Sequence, residues 1–204
     1  LHLVKIISMK HFLLFLLILL ITPLYSQVVE NPGFEDWEVT TGPNDEPVNW
    51  SSIQSGEPDN IAGFSPQVMF QSEDAYTGSY SIRLKNKYVT IAQVVANGIA
   101  TNGRNHLDLI PENADSHTDI SDEKWYTECT TRPDSVVGYY KYISVNGDLT
   151  TVQALVHTGE AKIPDPDSTG WVGMATFTSP AESTTGWVRF SAPIDYYESG
   201  DPEY

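Results

Sequence analysis

The spacing of apolar residues leaves this chain little scope for helix. Along its 204 residues no segment sustains apolar positions at a 3.6-residue period, whereas short runs of two-residue alternation recur between Gly, Pro, Asn and Asp clusters. Alternation sends successive side chains to opposite faces of a strand, so each run describes a strand with one buried and one wet face. The expected fold class is therefore all-β. Ser79 to Lys85 is a clear case, with Tyr80, Ile82 and Leu84 alternating with Ser81, Arg83 and Lys85. Val137 to Val145, Thr151 to His157, Trp171 to Thr178 and Trp187 to Ile194 are further strands. Asn146-Gly147 is a hairpin signal, because both residue types accept the left-handed backbone that a tight two-residue turn requires. Residues 97 to 135, rich in Gly, Asn, Asp and Pro, are expected to form long surface loops, with Arg132-Pro133-Asp134-Ser135 a turn into the next strand. Several short strands at this spacing favour a two-sheet β-sandwich. There is no internal repeat and no low-complexity linker.

The N-terminal segment reads differently. Lys10 precedes an apolar run from Phe12 to Ile21, Pro23 breaks it, and Ser26 and Gln27 make a polar exit. A membrane span needs roughly 20 apolar residues, and this run is half as long. Met9 to Ser26 is accordingly read as a secretory signal peptide cleaved after Ser26, with Leu1 to Ser8 either sequence upstream of a start at Met9 or an alternative start. That reading makes residues 27–204 a single exported domain without a membrane span, secreted to the extracellular space or the outer cell surface.

Charge narrows the partners. The formal net charge is −16, and removing the leader, which holds Lys5 and Lys10 and no acid, makes it more negative still. Such a field repels nucleic acid. Cys129 is the only cysteine, which excludes a disulfide framework, a zinc cluster or an iron-sulfur site within one chain; it is read as a small, partly buried hydrophobe. The acids are scattered through turn-rich segments as a solvated surface.

Most catalytic signatures are missing. The chain has no Gly-x-Ser-x-Gly elbow, no His-Glu-x-x-His, no phosphate-binding loop and no dinucleotide fingerprint. A glycosidase stays open, because it needs only two carboxylates that the fold brings together. His106, His117 and His157 lack metal-ligand spacing and are read as surface or satisfied polar residues. Asp165, Asp167, Thr169 and Gly170 begin like a calcium loop, yet Thr176 stands where the bidentate Glu belongs, so a polar turn is expected.

Five Trp and eleven Tyr supply material for sugar recognition, since sugar rings stack their C–H faces on aromatic rings while polar neighbours bind the hydroxyls. Alternation sorts the candidates. Tyr139, Lys141 and Ile143 share one face, opposite Gly138, Tyr140, Tyr142 and Ser144. Val152, Ala154 and Val156 look inward and send Gln153, Leu155 and His157 outward; Val188 and Phe190 look inward and send Trp187 and Arg189 outward. If these strands share a sheet, Tyr139, Lys141, Gln153, Trp187 and Arg189 form one polar and aromatic ligand-binding surface. Otherwise Trp187 covers a sandwich edge and the charges simply face solvent.

Longer motifs carry a family likeness. Asn31-Pro32-Gly33-Phe34-Glu35-Asp36-Trp37, Pro47-Val48-Asn49-Trp50 and Gly78-Ser79-Tyr80-Ser81-Ile82-Arg83-Leu84 resemble the opening of jelly-roll carbohydrate-binding modules: an Asn-x-Gly-Phe-Glu strand, a Trp strand and a Ser-Gly-x-x-Ser-Leu strand. Arg132 to Tyr142 and Trp187 to Tyr196 are similar to the carbohydrate-metabolism domain family (PCMD) of secreted Bacteroidetes proteins. The resemblance implies a jelly-roll β-sandwich that lacks its C-terminal strands, because the sequence stops at Tyr204 where a further strand is due. An unpaired edge there is an expected aggregation hazard. It also implies a structural calcium ion, with Glu35, Thr77 and Gly78 at the matching positions. The expected function is a non-catalytic, secreted carbohydrate-binding module with a polysaccharide or glycan as partner. The alternatives are a glycoside hydrolase or lyase with an unidentified carboxylate pair, and a structural or adhesion surface protein without a sugar ligand.

Overall fold

The computed structural model describes residues 29–40, 44–90 and 93–204, so the leader read over residues 1–26 lies outside the described residues. The described chain is all-β, with helix confined to α1 (Asp59–Ala62) and two 3-10 turns at Pro111–Asn113 and Glu123–Trp125. Among the described residues, no helix is long and apolar enough to cross a membrane.

The N-terminal half is a series of small antiparallel sheets. β1 (Trp37–Val39) pairs with β2 (Asp45–Pro47), β3 (Met69–Ser72) with β4 (Ser81–Leu84), and β5 (Lys87–Val89) with β6 (Val94–Ala96). The stretch beginning at Asn31 is a turn rather than the strand the resemblance implies. Asn31 adopts a positive φ of 44° and its side chain accepts from the amides of Glu35 and Asp36 while donating to the carbonyls of Asp36 and Val48. A side chain that satisfies local backbone groups in this way competes with strand pairing, and β1 starts only at Trp37. The turn brings Phe34 edge-on to Trp50, ring centroids 4.9 Å apart.

Residues 97–135 correct the expectation of surface loops. β7 (Arg104–His106) and β8 (Asp115–His117) pair there, and β11 (Lys162–Ile163) adds a third strand on the other side of β8. Their sequences, Arg-Asn-His and Asp-Ser-His, carry no apolar alternation because the buried position is polar: Asn105 is 2% exposed and donates to the Ser51 carbonyl while accepting from the Ser116 hydroxyl. Trp125 and Cys129, from the same stretch, are also buried.

Below Asn105 the interior stays polar. Glu46, 2% exposed, accepts hydrogen bonds from the hydroxyls of Ser52 and Ser55 and from the Ser52 amide. A buried carboxylate survives folding when hydrogen bonds replace its water shell, and closely spaced serines supply them here.

The C-terminal half holds the main apolar core. β9 (Ser135–Tyr140) pairs with β13 (Val188–Pro193), while β10 (Thr151–His157), β12 (Trp171–Thr178) and β14 (Asp195–Tyr196) form a separate three-stranded sheet. Val156, Val172 and Ala175 of that sheet meet Ala192 of β13, together with Cys129 and Ile194. Val136, Ala154, Phe177 and Tyr196 pack around this cluster. Phe190 stacks on Phe177 at 4.8 Å and lies across from Gly138, where a Cβ would come within 2.6 Å of the Phe190 ring. Gly138 is thus required by close packing.

Asn146 and Gly147 both take positive φ, 56° and 76°, and the Asp148 amide bonds the Val145 carbonyl, so the expected tight turn is present. It does not close a hairpin. Past Tyr140 the chain is tied instead to residues 183 and 184, the Tyr142 carbonyl accepting the Thr184 amide and the Tyr142 and Ser144 amides donating to the Thr184 and Ser183 hydroxyls, and β10 departs to the other sheet.

Candidate functional site

The outward face of β9 carries Tyr139, directly opposite Arg189 of β13, with Lys141 just beyond β9 and Trp187 just before β13. Onto this face folds the loop after β3. Asp74 takes the Lys141 ammonium at 2.5 Å through Oδ2 and the Trp187 indole N–H at 3.0 Å through Oδ1. Lys141 also lies over the Trp187 ring, 5.8 Å from its centroid. The two donors hold the Asp74 carboxyl below its ordinary range, Lys141 contributing most. Tyr76, two residues on, stacks on Tyr139 with centroids 3.5 Å apart and planes 12° apart.

This docking changes which groups are free. One face of Tyr139 is covered, and Tyr76, 49% exposed, becomes the outer ring of a two-ring stack. Lys141 is neutralised by Asp74, whereas Arg189 is exposed and has no carboxylate within ion-pair distance among the described residues. Tyr139, Lys141, Trp187 and Arg189 therefore share one surface. Gln153 does not belong to their sheet: it lies on β10, opposite Thr176, because β10 pairs with β12 and not with β9 or β13. Asp74 and Tyr76 escaped the sequence reading, since their only local signal was the neighbouring Thr77-Gly78 turn.

Two other expected faces shift. His157 is 4% exposed rather than outward, because a register break between Val156 and His157 turns it inward. There it meets the Thr118 hydroxyl at 2.8 Å and the Gly159 carbonyl at 3.0 Å, and burial lowers its pKa. Val188, at the start of β13, is 41% exposed although Phe190 and Ala192 on its face are buried.

At the proposed calcium position, Glu35 meets the Gly78 turn through hydrogen bonds. Its carboxylate accepts the amides of Ser79 and Tyr80 at 3.0 and 3.1 Å, and Gly78, at φ 76°, leaves no room for a Cβ beside Oε1. Amide N–H groups are donors, so Ser79 and Tyr80 tie the turn to Glu35 and add no ligand for a cation. Thr77 and Gly78 add no carboxylate, and no group of three or more His, Cys, Asp or Glu side chains suited to a metal occurs among the described residues. The Asp165 segment is a polar turn, its carboxylate accepting the amides of Thr169 and Asp167, which lower its pKa. Cys129 is 6% exposed and burial raises its thiol pKa, the environment of an unreactive core residue.

A second titratable cluster lies on the β7–β8–β11 sheet. Glu57 pairs with Arg104 at 3.3 Å and approaches His117 at 3.7 Å and His106 at 3.9 Å. His117 reaches Asp115 at 3.2 Å, Asp115 pairs with Lys162, and Arg104 also pairs with Asp119. Sequence spacing hid it because its members come from four segments.

Compared with family models, with curated proteins and with solved structures, the chain matches none significantly.

Proposed function

We propose that the chain is a secreted, non-catalytic glycan-binding module of jelly-roll type, acting at the outer cell surface or in the medium. The observation that carries this reading is the Tyr76–Tyr139 stack, an exposed ring on a rigid support beside Trp187, Arg189 and the Asp74–Lys141 pair. An aromatic platform flanked by charged hydrogen-bonding groups is the chemistry a sugar ring needs: C–H faces against the ring, hydroxyls toward the charges. The jelly-roll likeness of the three N-terminal motifs and the leader over Met9 to Ser26 support the same reading. A glycan array tests it, comparing the wild-type chain with Tyr76→Ala combined with Trp187→Ala, each checked by circular dichroism. Loss of glycan binding in a folded double variant is expected; undiminished binding overturns the site.

The hydrolase alternative draws on the Glu57, His117 and Asp115 arrangement, in which an imidazole stands between two carboxylates. Release of reducing ends from polysaccharide, abolished in Glu57→Gln, would select it over binding.

A further inference from the structure

Phe70 of β3 is surrounded by cations. Arg83 lies 5.6 Å, Lys85 5.5 Å and Lys87 5.6 Å from its ring centroid. The placement follows from register: Arg83 is the cross-strand partner of Phe70, Lys85 follows two residues on, and β5 begins at Lys87. All three side chains are exposed, and none has a carboxylate within ion-pair distance among the described residues. Elsewhere among the described residues, Arg104, Lys124, Lys141 and Lys162 each have a carboxylate at 3.3 Å or closer, Arg132 is held by the Glu198 and Gly200 carbonyls, and Arg189 stands singly. In a protein of net charge −16, three cations without a carboxylate gathered on one ring run against the net field. Like charges held this close repel one another, and the ring's negative face offsets only part of that repulsion. An oxyanion placed among them removes it.

We infer that the Phe70, Arg83, Lys85 and Lys87 cluster is a binding subsite for the carboxylate or sulfate groups of an acidic polysaccharide. The inference rests on the glycan-binding reading above and specifies its substrate class. Two features favour an acidic glycan over nucleic acid. The net negative field of the whole chain opposes a ligand with one charge per roughly 1.7 Å of axis, and that opposition weakens for a glycan whose charges are spaced by whole sugar rings. Phe70 also offers an apolar surface for a sugar C–H face between charged groups. The hairpin of β3 and β4 carries Phe70 and Arg83 of this cluster as well as the Asp74–Tyr76 loop.

Affinity electrophoresis of the exported chain tests this, with polygalacturonate, dextran sulfate, neutral dextran or DNA in the gel. Retardation by polygalacturonate or dextran sulfate is expected to weaken with salt and to fall on the order of tenfold or more in Arg83→Gln/Lys85→Gln/Lys87→Gln, three exposed ion pairs' worth. The two acidic gels distinguish carboxylate from sulfate. The inference is overturned if neither acidic glycan retards the wild-type chain, if the triple variant is retarded equally, or if DNA retards the chain as strongly. The two sites fail separately: loss of acidic-glycan binding in the triple variant but not in Tyr76→Ala/Trp187→Ala removes only the aromatic site, and the reverse removes only the cationic one.

Discussion

The Trp187 indole donates to the Asp74 carboxylate at 3.0 Å across 113 positions of sequence, and the Lys141 ammonium occupies the other oxygen of the same group. Asp74 therefore pins the loop that carries Tyr76 to the sheet that carries Tyr139. Its carboxyl is held below the ordinary value, so the docked loop prefers the ionised form. The contribution is present above the unfolded-state pKa and is lost as pH falls through the lower folded-state value. Wild type and Asp74→Asn should accordingly differ in urea midpoint at neutral pH and converge in acid. A difference that persists unchanged at low pH would remove the ionic account of the docking.

His157 has the same sign of linkage in a higher pH window. Burial lowers its pKa from 6.5, so the unfolded chain takes up a proton that the folded chain refuses. Its contribution is complete above about pH 6.5 and stability declines as pH drops toward the folded-state value, with a slope of at most about 1.4 kcal/mol per pH unit. His157→Gln should flatten the midpoint-versus-pH curve in that window; an equally steep curve would assign the slope to other groups.

Gly138→Ala should destabilise the fold by about 1–3 kcal/mol, the usual range for overpacking a core. The new methyl would meet the Phe190 ring at 2.6 Å, and that ring is packed on Phe177 at 4.8 Å in a three-ring cluster with Tyr140. Guanidinium denaturation of the single variant measures this, and partial recovery in Gly138→Ala/Phe190→Leu would identify the clash as the cause.

Glu35 should stabilise the Gly78 turn through the amides of Ser79 and Tyr80. With chelator present, Glu35→Ala removes the acceptor of these amides and is expected to cost about 1–2 kcal/mol in thermal unfolding. A calcium-dependent rise in midpoint that vanishes in Glu35→Ala would instead establish a bound ion, since an ion that binds the native state raises stability by mass action.

The amino-acid sequence alone determined the all-β class and the extents of β10 and β12, because side-chain alternation and turn residues are local properties written in consecutive positions. It also determined that Tyr139, Lys141, Trp187 and Arg189 face away from the core. Only the tertiary structure decided which strands pair: the Asn146-Gly147 turn forms as its residues dictate, yet β9 joins β13 and β10 joins β12, which parts Gln153 from the site. Strand pairing is a contest among distant partners for backbone hydrogen bonds and buried area, and no local period encodes its result. The same reason hid Asp74 and Tyr76. Their loop becomes part of a surface only because the folded chain brings it against residues 139, 141 and 187.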